Sequence, residues 1–584
     1  MSSNYDKFPF IEVSKSSDMC FVGWDSIFQE IARVAQAKNQ PKAVICIDLY
    51  HGVEAEPVRE AIRRHLGTAT IIHTNDMLKS VSDISTMVFP FVTDDQVFGK
   101  MNDLEMADFF EQDRLESVRA QILDIESGTV IIYGEGAALF ADADLLIYAD
   151  VARWEIQKRM KRGIVSNFGM DNADENFALK YKQGYFLDWR VFDRHKLRFF
   201  DQIDFFMDAC VPDEPKMVGA ELYHQGLNEA IKRPFRVVPF FDPGPWGGQW
   251  LKEVADLDRG EVNYAWGFDC VPEENSLLFK FGECIFELPS INLVLTRPQQ
   301  LLGEHIYNLF GAEFPIRFDF LDTMDGGNLS LQVHPTRAYI KEHFGMDYTQ
   351  DESYYFLEAG DDACVYLGTR RNVQAAEMIA DLEKAQSGSG DFDAEKYVNK
   401  LPVRKHDHIL IPAGTIHCSG KNAVVLEISA TPYIFTFKLW DWGRLGLDGK
   451  PRPINIEHGK KVIDWNRDED WVKENLFNNV AEISVNGHSR EESTGLYNTQ
   501  FIETRRHWFD RKVTHYTHGN LNVVNLVEGG EVVVESPDGL FEPYVIHYAE
   551  TFIVPANVPS YTITPTGRSE GAKCATLKAY VRKP

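Results

Sequence analysis

Two short apolar segments, LSLQVHP at 329–335 and IPAGTIHCSG at 411–420, constrain this chain more than any other feature. Residues two apart on a strand face the same way, so Gln332 and His334 point to one side while Val333 packs behind them. Between the segments, QDESYYFLEAG carries Glu352, and the second segment carries His417. A lone histidine on a strand is ordinarily a core or surface residue. Gln332, His334, Glu352 and His417 together, however, supply the nitrogen and oxygen donors of a divalent ion, which predicts a strand-borne metal site. In DHILIPAGTIH a short apolar strand ends at Pro412, and Ala413 and Gly414 supply the turn that returns the backbone toward His417.

This order of strand, Pro-x-Gly turn and histidine resembles the second metal motif of cupin barrels, with Gln332, His334 and Glu352 in place of the first. More narrowly, residues from about 235 to 584 are similar to the type I mannose-6-phosphate isomerases, zinc-dependent aldose-ketose isomerases of the cupin superfamily. Further matches are PWGG at 245–248, FPIRFDFLD before the Gln-x-His pair, and FKLWDWGRLGLDGKPRP at 437–453. The resemblance implies one zinc ion per chain on Gln332, His334, Glu352 and His417, and interconversion of mannose 6-phosphate and fructose 6-phosphate through an enediol. Glu427, in VVLEIS, matches a glutamate the family keeps near its substrate and is the candidate acid-base residue. Lys438 and Arg444 complete the implied catalytic set.

Three cationic positions depart from the family. Asp319 and Gln350 stand where lysines are usual, Lys438 replaces an arginine, and SATPYIF replaces the family's Asn-Ser-Asp stretch. Arg317, two residues before Asp319 and on the same strand face, can restore one charge. Arg317, Asp319 and Gln350 are thus the candidate substrate-binding residues. The departures keep two alternatives open: an isomerase of another, unphosphorylated sugar, or a non-catalytic sugar or sugar-phosphate sensor.

Composition sets the bounds. The 584 residues, 44% hydrophobic, suffice for about three or four domains. A formal charge of −28 argues against nucleic-acid and anionic-membrane partners; a small-molecule sugar or sugar phosphate is the partner that the isomerase resemblance implies. No secretory-type N-terminus and no run approaching the ~18 apolar residues of a membrane span occur, so a cytoplasmic location is expected. The eight cysteines form no Cys-x-x-Cys pair, which suits reduced thiols, with Cys418 a packing residue. His406 and His408 read as exposed.

The predicted fold class is multidomain, α/β followed by all-β. Over 1–230, runs such as AVICIDLY and TVIIYG alternate with helical stretches, predicting a parallel sheet with both faces covered. The order TVIIYGEGAALF, ADLLIYADVARWEIQKRMKRG resembles the later half of nucleoside-kinase-like P-loop folds. No G-x-x-x-x-G-K-S/T is present, which implies a degenerate module. Its basic set, Lys158, Arg159, Lys161, Arg162, Arg190, Arg194 and Lys196, reads as a solvated helix face. Residues 235–490 read as a metal-binding cupin-type β-barrel with a helical insertion at 372–400. Residues 491–584 read as a second barrel without ligands, because aligning ETFIVPANVPS with DHILIPAGTIH sets Ser560 on His417.

Overall fold

The computed structural model describes residues 3–13, 20–430, 433, 435–445, 452 and 454–583. The chain divides into two compact units. One combines Phe10–Glu229 with Ser276–Thr296; the other combines Met1–Pro9, Ala230–Asn275 and Arg297–Pro584. A single cut near residue 235 therefore does not describe the chain. Phe10–Glu12 pairs in parallel with Ser276–Phe281, which in turn pairs with Cys284–Pro289, and this three-stranded sheet draws a later segment into the N-terminal unit. The first residues go the other way: Tyr5 donates a hydrogen bond to Asp269, and Glu550 accepts one from the Asp6 amide.

The N-terminal unit is built on a seven-stranded sheet in the order Cys20–Val22, Lys216–Gly219, Phe205–Asp208, Leu145–Asp150, Lys42–Leu49, Gly128–Gly134, Thr70–His73. The last five are parallel; Lys216–Gly219 runs antiparallel to both of its neighbours near one edge, a departure from the all-parallel expectation. Leu145–Asp150 is buried along its whole length, as a strand covered on both faces must be. Ile27 and Ile31 of the helix Gly23–Ala37, with Val58 and Ile62 of the helix Ala55–His65, pack on Ile45, Ile47, Ile131 and Ile147.

Two expectations for this unit fail, the second only in part. Cys20 and Cys284 form a disulfide with Cα atoms 6.4 Å apart; their separation of 264 residues hid the pairing from any reading of spacing. The basic set is a solvated face only in part: Lys158, Lys161 and Arg162 are exposed. Arg159 is buried and donates to the carbonyls of Gly52, Ala209 and Cys210, and buried Lys196 donates to Asp150 and Asn292 at 2.7 Å each. Buried cations need such partners, and these two spend their charge holding loops together.

In the second unit a six-stranded antiparallel sheet runs His408–Ile411, Glu352–Ala359, Ala423–Ser429, Arg317–Asp322, Trp266–Cys270, Phe240–Asp242. A five-stranded one runs Val398–Pro402, Cys364–Thr369, His417–Ser419, Leu331–Val333, Phe437–Trp440. Among the described residues the edge strands of one do not pair with those of the other, so no barrel closes. The helix Ala375–Gln386 occupies the segment between Cys364–Thr369 and Val398–Pro402. A second pair of sheets, six- and four-stranded, follows from Ala481–Val485 onward, with Val524, Leu526, Val534, Phe552 and Ile563 in its core. Again no barrel closes among the described residues. Ser560 opens the strand Ser560–Pro565 there, and the one metal-competent cluster of the described residues lies elsewhere.

Candidate metal centre

Three of the four predicted donors, His334, Glu352 and His417, come together as fully buried side chains. Gln332 and His417 are opposite one another on adjacent strands of the five-stranded sheet, and His334 follows the first of those strands. Glu352 enters from the six-stranded sheet. The turn behaves as predicted: Gly414 has φ +89°, a left-handed conformation that favours glycine, and its amide donates to the His334 carbonyl at 3.0 Å.

Each imidazole is oriented from behind. His334 Nδ1 lies 2.7 Å from the Phe435 carbonyl and His417 Nδ1 lies 2.9 Å from the Thr415 carbonyl. A proton on each Nδ1 leaves both Nε2 lone pairs facing inward. There His334 Nε2 is 3.1 Å from Glu352 Oε2, and His417 Nε2 is 2.9 Å from Oε1. His334 Nε2 and Glu352 Oε1 are buried without a hydrogen-bond partner. Lone pairs converging at that distance repel unless a cation sits among them, so the donor set fits a divalent ion. Gln332 turns its amide to within 3.2 Å of His417 Nε2, and a half-turn of that amide presents its carbonyl oxygen instead.

The electrostatics agree. Burial lowers His334, but the negative charge of Glu352 outweighs it and holds the ring above its ordinary value. His417, equally buried and facing a charged His334, falls below its ordinary value despite Glu352. Burial alone would raise Glu352, yet the two histidines hold it well below the carboxylate range. The site thus favours an ionised carboxylate beside positive charge.

Beside the donors lies a cavity of about 180 Å³ whose walls include Gln332, Gln350, Arg317, Asp319, Glu427 and Lys438. Asp319 and Glu427 are cross-strand partners. Burial, Asp319 and Glu352 raise Glu427 well above the carboxylate range, with only Arg317 opposing. Burial pushes Asp319 up to about 6 against the pull of Arg317, whose Nε is 3.3 Å away. Arg317 therefore spends its charge on Asp319 instead of offering a free cation to a substrate. Lys438 is half-buried, and its ammonium makes no hydrogen bond or ion pair among the described residues; burial and Arg452 push it down to about 8.

Two sequence expectations change here. Gln350 lines the cavity, but its amide is committed: Nε2 donates to Glu352 Oε2 at 2.9 Å and Oε1 accepts from the Phe435 amide at 2.8 Å. It orients a metal ligand, so a lysine there would place its charge against Glu352. Gln350→Ala should weaken zinc binding about 10- to 100-fold in a chelator competition, the range for losing such a partner; unchanged affinity would remove this role. Arg444 is absent from the described cavity lining and bonds Asp441 and the Asn328 carbonyl. Arg452 lines the cavity instead, with Nη1 2.9 Å from Asp441 Oδ2. Arg452 belongs to the GKPRP end of the 437–453 segment, where local pattern assigns it no role; residues 446–451 and 453 of that segment, and 431, 432 and 434 of SATPYIF, lie outside the described residues. Trp246, of the quoted PWGG, and Trp266 also line the cavity, their rings 4.8 Å apart. His408 corrects another expectation: it is buried against Ser353, and burial and Arg506 lower it to about 3.

A family described as a domain of unknown function, DUF8485, matches residues 23–232. The mannose-6-phosphate isomerase of Streptococcus mutans serotype c is 31% identical over 222 residues, covering 37% of this chain and 64% of that protein. The probable mannose-6-phosphate isomerase GmuF of Bacillus subtilis is 30% identical over 154 residues, 26% of this chain and 45% of that protein. The chain thus spans from about half to under two thirds of these two relatives. Among solved structures, a mannose 6-phosphate isomerase from Bacillus subtilis aligns with a TM-score of 0.48 and 17% identity, over 59% of this chain and 99% of that one.

Proposed function

We propose that this chain is a zinc-dependent aldose-ketose isomerase that interconverts mannose 6-phosphate and fructose 6-phosphate. The observation that carries this reading is the shared wall of the cavity: Gln332 faces both the two-histidine, one-glutamate centre and the space holding Glu427 and Lys438. His334, Glu352, His417 and Gln332 would hold zinc, which when bound polarises the sugar carbonyl and hydroxyl oxygens. The named similarity of the relatives supports the same chemistry.

The chain's own groups supply the rest. Glu427, which burial, Asp319 and Glu352 raise above the carboxylate range, takes the proton from one of C1 and C2 as a carboxylate and returns it to the other from the resulting carboxylic acid. Lys438 and Arg452 face the sugar as cations and favour a developing oxyanion or a phosphate. The cytoplasmic setting belongs to the same proposal; among the described residues no helix is long and apolar enough to cross a membrane. The N-terminal unit, lacking a phosphate loop, is proposed to be a kinase-like module without phosphoryl transfer.

The deciding test is exchange chemistry. Mannose 6-phosphate incubated with the zinc-loaded protein in D2O should gain deuterium at C2 and yield fructose 6-phosphate in a coupled assay. Neither exchange nor conversion would sink the isomerase. Free mannose is the control for the alternative reading, which the small cavity and the acidic pair Asp319 and Glu427 favour. Lys438 also predicts a pH limb. Acting as an ammonium, it should let kcat/KM fall tenfold per pH unit above about 8, and Lys438→Met should abolish that limb along with about 100-fold of the rate.

A further inference from the structure

The N-terminal unit holds a cavity of about 410 Å³ of its own. It opens at the carboxyl ends of the parallel strands Lys42–Leu49, Gly128–Gly134 and Thr70–His73, where loops of open parallel sheets diverge and ligands are ordinarily bound. Its volume is within the range of small-molecule sites. Gly134 lets the chain approach closely: φ is +123°, and a Cβ there would collide with Thr74 Oγ1.

One polar group on the walls awaits a partner: Glu135 makes neither a hydrogen bond nor an ion pair among the described residues. Asn75 and Ser166 add neutral polar atoms, and Ile164 stands at the rim, 46% exposed.

The surroundings disfavour an anion. Burial, with Asp188 and Asp48 nearby, pushes Glu135 up to about 8, so the local field already penalises one negative charge. Glu54 lines the cavity as well, and Lys79 is the one lysine or arginine among the described lining residues.

We infer that this cavity binds an uncharged, hydroxyl-bearing molecule of nucleoside or monosaccharide size, held by Glu135, and that it rejects the phosphorylated form of the same molecule. This is independent of the isomerase reading, because every lining residue belongs to the N-terminal unit.

Matched pairs test it: adenosine against AMP, and mannose against mannose 6-phosphate, titrated calorimetrically into the full-length chain. The Ile164→Trp variant fills the rim at an exposed position, and the binding it removes is that of this cavity. Adenosine or mannose should saturate the wild type and not Ile164→Trp, with the phosphorylated partner at least about tenfold weaker and Glu135→Gln about tenfold weaker for the uncharged ligand. The inference is overturned if neither uncharged ligand binds by about 10 mM, if binding survives in Ile164→Trp, or if the phosphorylated partner binds this cavity as tightly. The source is read from which pair saturates: adenosine identifies a nucleoside site, mannose a sugar site.

Discussion

His334→Ala and His417→Ala should each lose zinc and, with it, all measurable isomerisation. Each ring is one of two imidazoles in the centre, each is oriented by a backbone carbonyl, and neither has a neighbouring donor that can replace it. Elemental analysis after gel filtration should fall from about one zinc per chain to near zero. The variants should also melt earlier, because Glu352 is then buried with one histidine instead of two; breaking a buried pair costs about 3 to 5 kcal/mol. Full zinc occupancy in both variants would refute the site. Acid should release the ion from the wild type as well, since protons compete for the same Nε2 lone pairs and His334 takes one up above its ordinary value.

Glu427→Gln should behave in the opposite sense. It retains the metal, because the donors come from other positions, and loses about 100- to 10,000-fold in kcat, the range for removing a positioned proton carrier. Its stability profile separates it from a damaged fold. Glu427 is raised in the folded protein, so it contributes most stability at low pH and loses it as pH rises through its raised value. Glutamine removes that loss, and the variant should therefore melt no earlier than wild type at neutral pH and later at alkaline pH. A variant with near-wild-type kcat would show that another group carries the proton. Lys438 is then the next candidate, the half-buried cation on the same cavity wall.

What sequence made legible here is what local rules encode. Alternation along a strand set Gln332 beside His334, the glycine turn fixed the approach to His417, and buried apolar runs marked the strands Lys42–Leu49 and Leu145–Asp150. The candidate metal centre rests on these features, and three of its four predicted donors converge as fully buried groups. Alternation does not say whether strands close on themselves, and the expected barrels are instead pairs of sheets.

The sequence by itself determined the candidate donors, the turn before His417 and the α/β-then-β order, because each is written in neighbouring residues or in a period of two. Only the tertiary structure decided the partners. It gave Gln350 to Glu352, Arg317 to Asp319, and Arg452 to the cavity in place of Arg444. It joined Cys20 to Cys284 and drew Ser276–Thr296 into the N-terminal unit. Buried charges and amides are matched to whatever lies across a sheet or a loop, and those neighbours are set by strand order between residues far apart in the chain, which no local pattern records.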